Sequence, residues 1–386
     1  MKQLFNIIKR ILLLFITLFI IFFIVVVSYI NLHPTFGGVP NEESKTRIEK
    51  SSHFDGEHFA NLVETDATSI GKSEGKREIN RWALFKNFIF PPKGKNPEKI
   101  KTIPLKSDEL KNGQFIWLGH STVLFKTNNT TIITDPVFNN AAPVPFFIQP
   151  FDMSDKPKIE DLPFIDVVLI SHDHYDHLDY KAIQEIDSKV GHFCVPLGVK
   201  AHLLRWGVSN NKISEYDWYE NREINNINFV FTPSRHFSGR GIFNHRKTLW
   251  GSWSVISPDI KIYFSGDGGY SPEFKKIGEK FNGFDIAFME NGAYNKSWEE
   301  IHMFPEQSAQ ASIDIKTKVV LPIHWGKFDL STHRWNEPVE RIKKAIQKHN
   351  ETIEEYLKIK LATPRIGEVF SIDSLPISQW WEEENN

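Results

Sequence analysis

The chain has 386 residues, of which 40% are hydrophobic and 13% aromatic, enough apolar material for one large domain or two modest ones. Its formal net charge of −2 gives little electrostatic basis for binding nucleic acid, so no nucleic-acid partner is expected. The single cysteine, Cys194, excludes an intrachain disulfide framework.

The amino-terminal segment predicts a membrane anchor. Residues 11–30 hold no charged side chain, and a helix of this length spans about 30 Å of hydrocarbon. Lys2, Lys9 and Arg10 precede it and favour a cytoplasmic amino terminus, which places the rest of the chain on the non-cytoplasmic side. A cleaved signal peptide is the main alternative, but its apolar region is normally shorter and no small-x-small site follows. We therefore expect an uncleaved anchor over residues 1–33.

Residues 34–112 predict an accessory segment that wraps around the main domain, because they are polar and prolines at 91, 92 and 97 interrupt regular structure. The main domain is expected over 113–386. Its predicted strands lie at 115–118, 122–125, 131–134, 165–170, 192–195, 227–232, 254–264, 284–289 and 317–322. Its predicted helices lie at 179–187, 199–206, 272–281, 305–315 and 338–349.

An unusually apolar loop separates the third predicted strand from the fourth. Within residues 143–151 it holds Phe146, Phe147, Ile148 and Phe151, and its prolines make a helix unfavourable. Such a loop is either buried or lines a mouth that accepts acyl chains. The sequence leaves both interpretations open.

Residues 171–179 hold a dense group of metal-binding side chains. His172, His174, Asp176 and His177 form an H-x-H-x-D-H pattern, and imidazole nitrogen and carboxylate oxygen are donors that zinc and similar divalent ions favour. The pattern follows a predicted buried parallel strand, and open α/β sheets place their sites at such carboxyl ends. A tight turn that enters a helix lets the four side chains converge. The order of strand, cluster and helix argues against the alternative, a His-rich surface loop.

Three further candidate ligands end apolar, strand-like runs elsewhere in the chain. They are His236, Asp267 and His324, each with Gly or Pro close by to shape a turn. Seven ligands exceed what one tetrahedral zinc ion uses, so two metal ions that share one carboxylate are the simplest assignment. Zinc is the expected metal, although iron or manganese also fits these donors.

With these residues in place, the chain resembles the metallo-β-lactamase superfamily. An early Asp (Asp135), H-x-H-x-D-H, a His, an Asp and a final His occur in that family's order. The chain looks most like the branch that contains N-acylphosphatidylethanolamine-hydrolysing phospholipase D and its bacterial relatives. The strings behind this resemblance are WLGHST (117–122), DPVF (135–138), SHDHYDHLD (171–179), LWGSWSV (249–255), SGDGGY (265–270), GAY (292–294) and IHWG (323–326). The upstream strings HPTFGGVP (33–40) and FDGEHFAN (54–61) also resemble bacterial members.

The resemblance implies an α/β fold, an αββα metallo-β-lactamase-like sandwich, preceded here by the amino-terminal transmembrane helix. It also implies which residues hold the two metal ions. The first ion would be held by His172, His174 and His236, the second by Asp176, His177 and His324, with Asp267 bridging both.

The resemblance suggests supporting roles for other residues. Asp135 would orient the metal loop. His302 would reach the site beside the metals and stabilise developing charge or protonate the leaving group, the alternative being an ordinary surface histidine before a helix. Tyr175 could donate a hydrogen bond into the site or pack as an ordinary aromatic. His120 is expected to support the site and not to bind metal.

These features predict a membrane-anchored dimetal hydrolase of phospholipase D type. Its expected substrate is an N-acylphosphatidylethanolamine-like phospholipid, attacked at phosphorus by a hydroxide that the metals generate by lowering the pKa of water to about 7. No G-x-S-x-G nucleophile elbow occurs in the chain. One alternative is a lactonase or other ester hydrolase of the same superfamily. Another is a non-catalytic envelope protein with a structural metal site, disfavoured because structural zinc sites are closed four-ligand cages.

Overall fold

A computed structural model describes residues 2–66, 90, 94–241 and 244–383. Its centre is a pair of facing sheets of seven strands each. The strands are β1 Gln114–Trp117, β2 Val123–Thr127, β3 Thr130–Thr134, β4 Ile165–Leu169, β5 Val190–Pro196, β6 Ile213–Tyr216, β7 Asn221–Ile224, β8 Ile227–Thr232, β9 Ser252–Ile256, β10 Lys261–Phe264, β11 Phe284–Glu290, β12 Thr317–Ile323, β13 Lys360–Leu361 and β14 Val369–Ser371. The helices are α1 Lys2–Leu32, α2 Glu42–Lys50, α3 Tyr180–Ile186, α4 Lys200–Arg205, α5 Glu273–Phe281, α6 Pro305–Asp314, α7 Glu337–Asn350 and α8 Trp380–Glu383.

Each sheet is half antiparallel and half parallel. The first sheet has the order β14-β1-β2-β3-β4-β5-β6, with parallel pairing from β3 onward. The second has the order β13-β12-β11-β10-β9-β8-β7, with parallel pairing from β10 to β13. The parallel halves matter for function because their strands end together at one edge, where loops can gather side chains from distant parts of the chain.

The core between the sheets is mainly aromatic and β-branched. Trp117 and Phe125 of the first sheet belong to one buried cluster with Phe231, Trp253 and Phe288 of the second. Helices α3 and α4 cover the outer face of the first sheet, and α5, α6 and α7 cover that of the second. This arrangement confirms the predicted αββα sandwich.

The predicted elements compare closely with the structure. Each of the five predicted helices begins and ends within one residue of an observed one. The single strand predicted at 254–264 is wrong, because a turn closed by Ser257 N–H donating to the carbonyl of Ile260 splits it into β9 and β10. Strands β6, β7, β13 and β14 were not predicted. They are short, and β7 is largely exposed, so they lack the apolar run that marks a buried strand.

The accessory segment is described over 34–66, at 90 and over 94–112, while Pro91, Pro92 and Lys93 lie outside the described residues. It contains α2 and places Ile48 and Phe59 in the core between the sheets. The segment therefore buries apolar side chains against the main domain. The domain boundaries themselves stay a prediction.

The apolar amino-terminal segment forms α1, a helix of 31 residues with no buried side chain. By length and composition it could cross a membrane, and it is the one such helix among the described residues.

The apolar loop at 143–151 fits each of the two interpretations in part, because one of its phenylalanines is buried and two are exposed. Phe151 is buried in the core, with 8% of its surface exposed, whereas Phe146 and Phe147 are 76% and 49% exposed.

Candidate metal centre

The H-x-H-x-D-H motif occupies the turn between β4 and α3. β4 ends at Leu169 and is parallel to both neighbouring strands, as the sequence predicts. α3 begins after Asp179, whose Oδ1 accepts the backbone N–H groups of Lys181 and Ala182 at 3.0 and 3.2 Å. This cap fixes the start of the helix. The motif's side chains therefore project from a turn that regular structure bounds on both sides.

Asp135 follows β3 and is fully buried beside this turn. Its Oδ1 accepts the N–H of Ser171 at 2.7 Å, and its Oδ2 accepts the Ser171 hydroxyl at 2.5 Å and His177 Nδ1 at 2.6 Å. Its φ of 33° lies in the left-handed region, a conformation that costs free energy in a non-glycine residue. This placement fits the orienting role that the resemblance implies.

Three histidines have Nδ1 held by an acceptor, so that Nε2 of each faces the other candidate ligands. His177 is held by the aspartate just described. His172 Nδ1 donates to the hydroxyl of Ser171 at 2.9 Å, and His236 Nδ1 donates to the carbonyl of Ile301 at 2.9 Å. Outer contacts of this kind fix the tautomer and the ring direction of metal-binding histidines.

His172, His174 and His236 form the first candidate ligand group. The Nε2 atoms of His172 and His236 lie 2.9 and 3.3 Å from Nδ1 of His174. Burial, reinforced by neighbouring imidazoles, lowers the pKa of His172 and His236 well below the usual value, and burial lowers that of His174 as well. All three side chains therefore favour the neutral form, which is the form that binds metal.

The second candidate group surrounds Asp176. Its Oδ2 lies 3.5 Å from Nε2 of His177, 3.4 Å from Nε2 of His324 and 3.1 Å from Nε2 of His120. The sequence interpretation gave His120 only a supporting role. The structure brings its imidazole as close to this carboxylate as those of the predicted ligands.

Asp267 joins the two groups. Its Oδ2 lies 3.1 Å from Nε2 of His177 and 3.0 Å from Nε2 of His324. The same oxygen lies 4.0 Å from Nε2 of His172 and 3.9 Å from Nε2 of His236. One carboxylate oxygen thus faces nitrogens of both groups, so the structure brings all seven sequence-predicted ligands to one place.

The unpaired atoms and charges of this cluster fit divalent cations. Nε2 of His177 and Nε2 of His324 are buried and lie near Oδ2 of Asp267, but neither makes a hydrogen bond in the part of the chain that the structure describes. The same is true of the buried Oδ1 of Asp267. Buried polar atoms rarely stay unpaired. Burial opposes ionisation of Asp267, but the imidazoles of His177 and His324 hold its pKa well below the usual range. Burial likewise opposes protonation of His324, but the Asp267 carboxylate raises its pKa to about 10. The carboxylates therefore require nearby positive charge, which either protonated imidazoles or divalent cations supply.

His302 lies beside this cluster, as predicted. Its ring centroid is 5.2 Å from that of His236 and 5.3 Å from that of His324. Its Nδ1 lies 2.8 Å from Oε1 of Glu290, a fully buried carboxylate whose Oε2 accepts the N–H of Met303 at 3.1 Å. Sequence reasoning missed Glu290. The signal was available, because Glu290 ends the apolar strand β11 just as the predicted ligands end theirs.

The hydroxyl of Tyr175 contacts the backbone and none of the candidate metal ligands. Its hydroxyl donates to the backbone carbonyl of Arg240, and the Arg240 guanidinium lies over its ring, 4.2 Å from the centroid. Arg240 is itself buried and donates from Nη1 to the carbonyls of Asp173 and Leu178, both at 2.7 Å. Tyr175 and Arg240 therefore stabilise the metal turn through their contacts with each other and with its backbone, which fits a packing role for Tyr175.

The accessory segment supports the ligand His236. Asn61 accepts the His236 N–H at Oδ1, 3.1 Å away, and donates from Nδ2 to the His236 carbonyl at 2.8 Å. Trp250 Nε1 donates to the same Oδ1 at 3.1 Å. These contacts fix the backbone of a candidate ligand from a segment about 175 residues earlier in the chain. Asn61 was not singled out from the sequence.

A cleft of about 250 Å³ opens onto the candidate metal centre. His174, Asp267 and His302 line it together with the apolar side chains of Phe237, Trp298 and Leu330. An open cleft with apolar walls is typical of catalytic centres, because a closed four-ligand cage leaves no room for a substrate.

Comparison with known proteins agrees with this geometry. Residues 130–325 match the model of the family described as the beta-lactamase superfamily domain. An uncharacterized protein of Mycobacterium tuberculosis is 36% identical over 290 residues, which cover 72% of this chain and 76% of the relative. The chain belongs to the beta-lactamase superfamily. It has the metallo-β-lactamase fold, and its candidate metal-binding residues mark it as a metallo-hydrolase of that superfamily.

Two further similarities concern activity and fold. The N-acyl-phosphatidylethanolamine-hydrolyzing phospholipase D 1 of Caenorhabditis elegans is 35% identical over 242 residues, 59% of this chain and 68% of the relative. The isothiocyanate hydrolase from Delia radicum gut bacteria has a TM-score of 0.51 at 17% identity, covering 67% of this chain and 99% of that one. At that identity the second likeness concerns the fold alone.

Proposed function

We propose that the chain is a dimetal phosphodiesterase that cleaves N-acylphosphatidylethanolamine-like phospholipids in the manner of a phospholipase D. The central observation is the position of Asp267, whose Oδ2 lies within 4.0 Å of nitrogens from both ligand groups at the base of an open cleft. The first ion is assigned to His172, His174 and His236, and the second to Asp176, His177 and His324, with Asp267 shared. Zinc is the proposed metal.

Two divalent ions held there supply Lewis acidity and lower the pKa of water to about 7. The chain's own residues do the rest. Asp135 and Ser171 fix the ring orientations of His177 and His172, so that Nε2 of each faces the centre. Burial of the ligands keeps bulk water away, which strengthens their electrostatic effect on a bound phosphodiester.

The pair of Glu290 and His302 is proposed to protonate the leaving group. Contact between Glu290 Oε1 and His302 Nδ1 fixes the ring, so Nε2 is free to hold a proton at the edge of the cleft. In the proposed reaction the oxygen of water bonds to phosphorus while that water loses a proton to solvent, and the bond from phosphorus to the ethanolamine oxygen breaks. His302 Nε2 delivers a proton to that oxygen, giving phosphatidate and an N-acylethanolamine.

Two observations support a lipid substrate. The relative named as an N-acyl-phosphatidylethanolamine-hydrolyzing phospholipase D is 35% identical over 59% of this chain. The apolar helix α1 could also hold the catalytic domain at a membrane, and on the charge pattern around it we propose that the domain lies on the non-cytoplasmic side.

The proposal is tested with purified full-length protein loaded with zinc and supplied with N-acylphosphatidylethanolamine in mixed micelles. The expected products by mass spectrometry are phosphatidate and N-acylethanolamine in equal amounts. A panel of lactones is the parallel arm. Turnover of lactones with none of the phospholipid would replace the phosphodiesterase by the ester-hydrolase alternative. One tightly bound ion and no turnover of either substrate would indicate a structural metal site.

A further inference from the structure

We propose that residues 143–147 form a second membrane contact beside α1, and that the two together hold the metal cleft against the bilayer surface. The proposed binding partner of this exposed loop is the interfacial region of a lipid bilayer. The membrane contact stands on its own geometry. Its purpose, to let a phospholipid headgroup reach the cleft, rests on the function proposed above.

The end of α1 is joined to this loop and to the main domain. The hydroxyl of Tyr29, in the last turn of α1, donates to the carbonyl of Pro143 at 2.8 Å. Arg205 donates from Nη2 to the carbonyl of Leu32 at 2.8 Å, and Trp206 Nε1 donates to that of Pro34 at 2.7 Å. Because these contacts fix the helix end, the loop lies at the level where α1 would leave a membrane.

The segment that follows α1 is bound to the metal turn itself. Arg240, which donates to two carbonyls of that turn, also donates from Nε to the carbonyl of Thr35 at 2.8 Å. The N–H of Gly38 donates to His202 Nδ1 at 2.9 Å, so the His202 proton is on Nε2, which faces Oδ2 of Asp173 in the turn at 3.2 Å. The segment after α1 and the metal turn are therefore joined by a continuous set of hydrogen bonds, of which those made by Arg240 are buried.

Two glycines allow this close approach. Gly37 has a φ of +80°, and a Cβ there would lie 2.1 Å from His202 Nδ1. A Cβ on Gly38 would lie 2.1 Å from the carbonyl oxygen of Ala201. A side chain at either position would push the segment away from α4. Glycine at both positions therefore allows the segment after α1 to pack against α4.

The loop exposes apolar side chains, and hydrogen bonds hold its backbone in place. Phe146 and Phe147 are 76% and 49% exposed, and their rings lie 5.1 Å apart. Below them, Asn140 Nδ2 donates to the carbonyls of Ala142 and Val144 at 2.7 and 3.0 Å. Exposed adjacent phenylalanines beside the end of an apolar helix resemble the amphipathic surfaces that enter the headgroup region of a bilayer.

The base of the loop reaches the cleft through one layer of side chains. Ile148 packs against a buried cluster that contains Val137 and Phe328, and Leu330 packs on the same cluster. Leu330 also lines the cleft at the metal centre. A bilayer in contact with Phe146 and Phe147 would therefore lie next to the entrance of that cleft.

The membrane contact is tested by site-specific labelling of the full chain in vesicles of phosphatidylethanolamine and phosphatidylglycerol. Cys194 is buried, and burial raises its thiol pKa to about 12, so Phe147→Cys can be labelled selectively with an environment-sensitive fluorophore. We expect blue-shifted emission that spin-labelled lipid quenches. The matched control is Tyr356→Cys, at a position 84% exposed and near the edge strand β13 of the other sheet, which should give unquenched, water-like emission. Identical emission at both positions would overturn the proposal.

The effect on the cleft is tested by kinetics with the double variant Phe146→Ser/Phe147→Ser. We expect the ratio of its rate on vesicle phospholipid to its rate on a monomeric short-chain phospholipid to fall by about tenfold or more, since two apolar side chains lose their contact. The matched Tyr356→Ser/Leu357→Ser variant should keep the wild-type ratio. An unchanged ratio in the first variant would overturn the cleft-positioning role. Absence of phospholipid turnover in the wild type would instead reject the proposed function, while the fluorescence result would still decide the membrane contact.

Discussion

Oε1 of Glu290 lies 2.8 Å from Nδ1 of His302, with the carboxylate fully buried and the imidazole at the edge of the metal cleft. Burial raises the pKa of Glu290, and the contact with His302 counteracts that effect. The pair gives the cleft an oriented proton donor that is separate from the seven candidate ligands. The proposed division of labour is therefore that the Asp267 cluster holds the metals and this pair serves the leaving group.

Replacement of Glu290 by Gln is expected to lower kcat by about tenfold to hundredfold, because the His302 ring loses its charged partner. KM and metal content should stay near wild-type values. The measurement is steady-state kinetics on the phospholipid, together with metal analysis. Glu273→Gln is the control, since Glu273 is also buried but contacts Lys276 and Tyr219. Equal effects of the two substitutions would contradict a specific role for Glu290.

Replacement of His302 by Ala is expected to lower kcat by about 10²–10⁴-fold, the usual contribution of a positioned acid or base. Two metal ions per chain should remain bound, because the seven candidate ligands are intact. A substrate with a leaving group that needs no proton, such as a p-nitrophenyl phosphodiester, should lose much less activity. Loss of one metal ion in this variant would instead make His302 a ligand.

Replacement of Arg240 by Met is expected to destabilise the protein by about 3 kcal/mol or more. The backbone carbonyls of Thr35, Asp173 and Leu178 lose their donor, and each unpaired buried group costs about 1–3 kcal/mol. Thermal unfolding in detergent gives the measurement. The control Arg334→Met removes a half-exposed ion pair with Glu340 and should change stability by about 1 kcal/mol at most.

Deletion of residues 1–28 should release a soluble, folded protein that keeps its metals, because no side chain of α1 is buried and Tyr29 is retained. Deletion of residues 1–38 should behave differently. It removes the carbonyl acceptor of Trp206 and the donor to His202, and so exposes the back of the metal turn. Sedimentation with metal analysis separates the outcomes, and loss of metal from the shorter deletion would show that α1 belongs to the fold.

The sequence predicted those parts of the site that follow from the position of each residue at the end of a strand. Each predicted ligand ends an apolar run, and parallel strands end at a shared edge, so convergence of His236, Asp267 and His324 on the motif could be predicted. The same reasoning extends to Glu290 and should have included it. The exposed phenylalanines could be recognised as unusual, but the sequence could not tell buried Phe151 from exposed Phe146.

Other parts of the site depend on contacts between distant segments and could not be predicted. Asn61 supports His236, and Arg240 links Thr35 to the metal turn, across separations of about 175 and 205 residues. Asn61 ends the string FDGEHFAN (54–61), but nothing in that string indicates its contact with His236, and no string that carries the family resemblance contains Arg240. For Tyr175 the sequence left a role in the site and ordinary packing both open, and its hydroxyl, which donates to a backbone carbonyl, fits the second.

The most direct test of the account is the number of metal ions bound per chain before and after Asp267→Ala. Mass-spectrometric metal analysis of the zinc-loaded wild type should give two ions, and the variant should lose at least one ion and essentially all turnover, because one carboxylate oxygen faces both ligand groups. Asp259→Ala, which changes an exposed carboxylate in the turn between β9 and β10, should keep both ions and full activity. Two ions and normal turnover in Asp267→Ala would contradict the dimetal centre.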